Sequence, residues 1–172
     1  NGPQAAPKAH GTAVAHIFAG TGPAAGRKVT TIFVADIFAG PRASSGSTFA
    51  LVKAINWMAE QKVPVVNISL AGPSSGVVGK AVERLSAKGQ IVVAAVGSYV
   101  DFAAHGVDVT SLDAGGNVIA ATGTSFAAPR VARALAKGLA VADGTKAAQA
   151  LKLLESKTRD LGRPGKDPAF GL

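Results

Sequence analysis

The chain contains no cysteine, and its 172 residues include one methionine, one tryptophan and one tyrosine. Without cysteine there can be neither a disulfide nor a thiolate metal site, and the redox compartment stays open. Acids are scarce as well: 10 Asp and Glu stand against 18 Lys and Arg, for a net charge of +8. The excess positive charge is scattered, with one mild cluster in "SKTRDLGRPGK" and no aromatic residues interleaved. That pattern reads as a solvated basic face and argues against a nucleic-acid partner. No apolar run approaches the length of a membrane span, which argues against a membrane partner. Asn1 to Lys8 is polar and proline-rich, so no secretory signal is read at the start.

What is present is a large apolar fraction, 48%, together with 21 glycines. This composition suits a tightly packed α/β protein, read as a single domain over residues 1–172. "VTTIFVADIF", Val29 to Phe38, is β-branched and apolar and predicts a buried strand. A helix follows, capped by Ser47, with Leu51, Val52, Ile55, Met58 and Ala59 on one face. "VPVVNISL", Val63 to Leu70, predicts a second strand. The next helix places Val78, Ala81, Val82 and Leu85 on one face, and Gly89 stops it. "QIVVAAVG" predicts a third strand and "GNVIAA" a short one, and "TKAAQALKLLES" is a capped amphipathic helix. The β-α-β-α-β order implies a mainly parallel sheet with right-handed crossovers. In such sheets the site lies beyond the C-terminal strand ends.

Two motifs suggest chemistry. "GTSFAAPRVA", Gly123 to Ala132, puts a serine at the start of a helix and a proline four residues later. A serine there can be an ordinary N-cap, or a nucleophile beside free backbone N–H groups. "HGTAVAHIFAG" seats His10 on the first turn of another helix. A histidine and a serine, each next to Gly-Thr and each at a helix start, are the parts needed for acyl transfer. The His-before-Ser order disfavours an α/β-hydrolase.

On "HGTAVA", "VVNISLAGP" and "GTSFAAPRVA", taken in that order, the chain resembles the subtilisin-like serine proteases of the subtilase family. "DFAAHGVDV" and "RDLGRPGKDPAFGL" fit the same resemblance. It implies a three-layer α/β/α fold and a serine endopeptidase acting on polypeptides without a cofactor. Ser125 matches the nucleophile, and its own N–H would help form the oxyanion hole; His10 matches the general base. Ser69, Leu70 and Ala71 match one strand edge of the substrate groove, and Ser44, Ser45 and Gly46 match the other. Ala95, Val96 and Gly97 match a wall of the specificity pocket, and Phe38 falls where a distal pocket is lined. The resemblance also implies an exported protein.

The sequence departs from the family pattern in several places. The family's acid precedes its histidine motif, and none of the nine residues before His10 is acidic. The family's oxyanion Asn follows the third strand, where this sequence has Ser98. Loss of such a donor costs about 10²–10³ in turnover, a figure that itself comes from a subtilisin-like enzyme. The resemblance thus implies a longer parent polypeptide and a poor protease in this chain alone. The alternative is a peptide-binding relative without turnover. "AGTGPAAGRKV" has no carboxylate, so no metal is expected in the loop after the histidine helix. Asp36, near a strand end, could stand in for the acid, but the family's acid comes from a different strand, which argues against it; His16 and His105 are read as structural.

Overall fold

A computed structural model describes residues 8–20, 31–38, 46–70, 72, 74–95, 101–141 and 147–161. In chain order the elements are α1 (Ala9–Ala19), α2 (Thr48–Glu60), β1 (Val65–Ile68), α3 (Gly76–Ala87) and β2 (Ile91–Ala94). They continue with β3 (Val109–Leu112), β4 (Val118–Ala121), α4 (Thr124–Val141) and α5 (Ala147–Glu155). Strands β1 and β2 pair in parallel, with Val65 opposite Ile91 and Ile68 opposite Ala94. Strands β3 and β4 form a separate antiparallel hairpin.

Side chains alternate across a strand, so β1 sorts its residues between two layers. Val65 joins Ile91, Ala132, Leu135 and Ala150 in a core under α4 and α5. Val66 joins Ile55, Ala81 and Leu85 in a second core under α2 and α3. Helices therefore cover both faces of the parallel pair, giving the expected α/β/α layering. The same alternation sends Asn67 and Ser69 towards α4, on the side of Val65.

Helices α2 and α3 are closed by the same device. Ser47 caps α2 by accepting from the Ala50 N–H at 3.1 Å. At its far end the Val63 N–H reaches the Met58 carbonyl and the Lys62 N–H reaches Ala59. Lys62 takes φ +54°, which a side chain makes costly. Helix α3 ends in the equivalent pair, Gln90 to Leu85 and Gly89 to Ser86. There the left-handed residue is Gly89, at φ +80°. Lys62→Gly should therefore raise stability by about 1 kcal/mol, read as a higher urea midpoint at unchanged slope. A midpoint at or below that of the parent would contradict this.

The expected strand over Val29–Phe38 is corrected in its described part: residues 31–38 form no strand. Among the described residues no strand pairs with it, and Phe33 and Val34 are exposed. The apolar run supplies strand propensity, but propensity needs a ladder partner. The parallel sheet among the described residues is accordingly the single pair β1–β2. The predicted helix "TKAAQALKLLES" is described as α5, with Thr145 and Lys146 outside the described residues.

Candidate active site

Backbone contacts hold the head of α4 in place. Gly123, at φ +146°, precedes the helix and donates its N–H to the Gly106 carbonyl at 2.7 Å. A Cβ on Gly106 would lie 2.9 Å from the Gly123 oxygen and 3.0 Å from the Ala127 Cβ. Glycine at 106 thus lets the "DFAAHG" segment lie directly on the serine turn. The Asp108 N–H adds a bond to Thr122 Oγ1 at 2.9 Å.

Ser125 is half-buried, one residue inside α4. Its hydroxyl donates to the Ser69 carbonyl at 3.4 Å. That is long for an O–H···O bond and therefore weak. The Ser69 hydroxyl in turn donates to the Ser125 carbonyl at 2.8 Å. The Asn67 amide nitrogen donates to Ser69 Oγ at 2.8 Å. The end of β1 is therefore bonded to the first turn of α4.

Pro129 is the sixth residue of α4 and fully buried. Its place in the first turns suggests that its missing N–H costs least there, and the structure corrects this. The N–H of residue 129 would serve the carbonyl four residues back, which belongs to Ser125. That carbonyl lies inside the helix and needs a donor, and the Ser69 hydroxyl supplies one.

His10 lies in the first turn of α1 and is exposed. Its ring centroid is 5.4 Å from that of Phe126, tilted by 55°. This is a favourable aromatic contact, and it places the imidazole against the residue next to Ser125. Among the described residues no hydrogen bond joins His10 to Ser125, and no carboxylate bonds His10. The Asp36 carboxylate is taken by Lys8 Nζ at 3.0 and 2.8 Å. Lys8 also donates to the Phe38 carbonyl at 2.8 Å and lies over the Phe38 ring. Asp36 therefore anchors the entry to α1 rather than the imidazole.

The hydrogen bond from Lys8 chiefly holds the Asp36 carboxyl below its ordinary value of 3.8. A lowered folded value means that the pair supports the fold fully above that ordinary value. Its support fades as pH falls through the lowered value. Asp36→Asn should thus flatten the acid limb of a melting-temperature profile. Identical acid limbs in parent and variant would contradict the assignment.

The other expected site residues divide as follows. Ser69 is buried and Leu70 half-buried, and Ala71 lies outside the described residues. Ala95 is half-buried at the end of β2, its N–H on the Ile68 carbonyl at 3.2 Å; Val96 and Gly97 lie outside the described residues. Gly46 is exposed and packs on Ile37, while Ser44 and Ser45 lie outside the described residues. His16 Nδ1 is 3.2 Å from Ser111 Oγ, whose proton goes to the Ala13 carbonyl. Ser111 must therefore accept from His16, which ties α1 to β3 in a structural role. Asn67 stands outside the residues that the sequence motifs single out. Its signal is an amide two residues before Ser69 in an otherwise apolar strand.

A family model described as the subtilase family matches residues 2–104 and 98–172. Among solved structures, a cold-adapted subtilisin-like serine proteinase superposes with a TM-score of 0.78 at 24% identity, covering 90% of this chain and 69% of that one. A psychrophilic protease gives 0.65 at 19%, covering 76% and 64%. The prenylagaramide maturation protease gives 0.59 at 21%, covering 72% and 62%. At these identities the likeness shows the fold. The chain spans roughly two thirds of each of these proteins. No curated protein matches the sequence significantly.

Proposed function

Since the chain belongs to the subtilase family, we propose that it is a serine endopeptidase module with Ser125 as nucleophile and His10 as general base. The observation that carries the reading is the head of α4, where Ser125 is fixed at the end of β1 and the His10 ring packs on its neighbour Phe126. The weak bond from Ser125 to the Ser69 carbonyl yields to a better acceptor. In the reaction the Ser125 oxygen attacks the scissile carbonyl as its proton passes to His10. His10 returns that proton to the leaving amine. Water, deprotonated by His10, then releases the acyl group and restores Ser125.

The substrate on this reading is an extended polypeptide. It lies between the edge at Ser69, Leu70 and Ala71 and the segment Ser44, Ser45 and Gly46, bonded mainly through its backbone. Ala95, Val96 and Gly97 form a wall for a small or apolar side chain, and the exported location is part of the same proposal. Among the described residues no helix is long and apolar enough to cross a membrane.

Turnover of an extended peptide ester by purified protein tests this. Slow hydrolysis that disappears in Ser125→Ala is the expected result. Peptide binding without hydrolysis in the folded parent replaces the protease with the peptide-binding reading.

A further inference from the structure

We propose that Ser69 and Asn67 are positioning residues for the nucleophile, with the Ser69 hydroxyl standing in for the backbone donor that Pro129 lacks. The inference rests on the reading of Ser125 as nucleophile, but its geometry can be tested separately. A helix carbonyl inside the first turns needs an N–H from four residues on. At Ser125 that N–H is absent, because residue 129 is proline. The Ser69 hydroxyl fills the position at 2.8 Å, from a different element.

Hydrogen counting then fixes the rest. The one hydroxyl proton of Ser69 is spent on Ser125, so its oxygen must accept from Asn67, and the amide must present its nitrogen. That is the bond observed, at 2.8 Å. The Asn67 amide oxygen is buried and has no partner among the described residues. Burying an unpaired acceptor is costly, so an apolar side chain would be cheaper unless the amide nitrogen had a task. Orienting the Ser69 hydroxyl is a task that fits. Asn67 and Ser69 share one face of the β1 strand line, and that line runs through the parallel sheet. The Ser125 peptide unit is thereby referenced to the sheet as well as to its own helix. The nucleophile is held to a rigid element where a continuous helix would have closed its hydrogen bonds internally.

A double-mutant cycle tests the substitution of one donor for another. Ser69→Ala should shift the unfolding equilibrium about tenfold towards the unfolded state, because it strands a part-buried helix carbonyl. With Pro129→Ala in place, residue 129 can donate to Ser125 itself. The same Ser69→Ala change should then shift the equilibrium less than about threefold. Equal shifts in both backgrounds would overturn the proposal. Should Pro129→Ala fail to fold, the carbonyl ¹³C shift of Ser125 gives the answer in single variants. It should move upfield in Ser69→Ala and stay in place in Ser69→Thr, and no movement in Ser69→Ala would overturn the proposal.

The positioning role has its own readout in phosphonylation kinetics. In Ser69→Ala and Asn67→Leu the maximal inactivation rate should fall about tenfold or more with probe affinity little changed, and Ser69→Thr should recover most of the rate. A fall in affinity alone, or no fall, would overturn the role. A parent protein that is never labelled, with the cycle behaving as expected, would instead count against Ser125 as nucleophile.

Discussion

His10→Ala should slow phosphonylation of Ser125 by about 10²–10⁴-fold, the usual worth of a positioned general base. The serine hydroxyl is a poor nucleophile until its proton has somewhere to go. Its present acceptor, the Ser69 carbonyl at 3.4 Å, cannot take that proton away. The imidazole can, and its ring lies against Phe126 at the head of the same helix. His10 is exposed on the first turn of α1 and its ring contact is with Phe126, so its removal should change folding stability by no more than about 1.5 kcal/mol. Rate and stability therefore separate in this variant. An unchanged rate would show that the histidine motif serves the fold alone.

Leu135→Ala should have the largest effect on stability, a loss of about 2–5 kcal/mol. Leu135 is 1% exposed and projects from α4 into the core, with Val65, Ile91, Ala132 and Ala150 around it. Truncation loses the transfer energy of its side chain and leaves a cavity that helix and sheet together cannot close. A domain of this size has total stability of about 5–15 kcal/mol, so the variant should be close to unfolding at moderate urea. A loss under about 1 kcal/mol would mean that α4 is not packed on the sheet as described.

Much of this arrangement is legible in the sequence, for identifiable physical reasons. The 3.6-residue spacing of Leu51, Val52, Ile55, Met58 and Ala59 names a helix face, and these residues share one core with Val66, Ala81 and Leu85. Gly89 ends its helix because only glycine takes φ +80° cheaply. The two Gly-Thr motifs do lie at helix starts, and α1 packs against α4. Less was readable where a residue's role depends on a distant partner. The β-branched run ending at Phe38 shows strand propensity, but no sequence pattern says whether another strand stands beside it. Pro129 looks harmless near a helix start until the carbonyl it leaves is traced to Ser125. Asn67 reads as a polar interruption, because its value lies in a bond to Ser69 that in turn serves a residue 56 positions away. Asp36 has the right chemistry for an acid, but Lys8 occupies it.

Of the chain's serines, the one at the head of α4 should be the reactive one. The chain has several others, including Ser69 and Ser111, both buried. Treating the purified protein with a serine-directed phosphonofluoridate and mapping the adduct by peptide mass identifies it. Fluoride leaves as the new phosphorus–oxygen bond forms, so each reacted serine carries one phosphonyl group. A single adduct on the peptide containing Ser125, absent from the Ser125→Ala protein, is the predicted result. An adduct on another serine, or a folded protein that takes up none, would contradict the account.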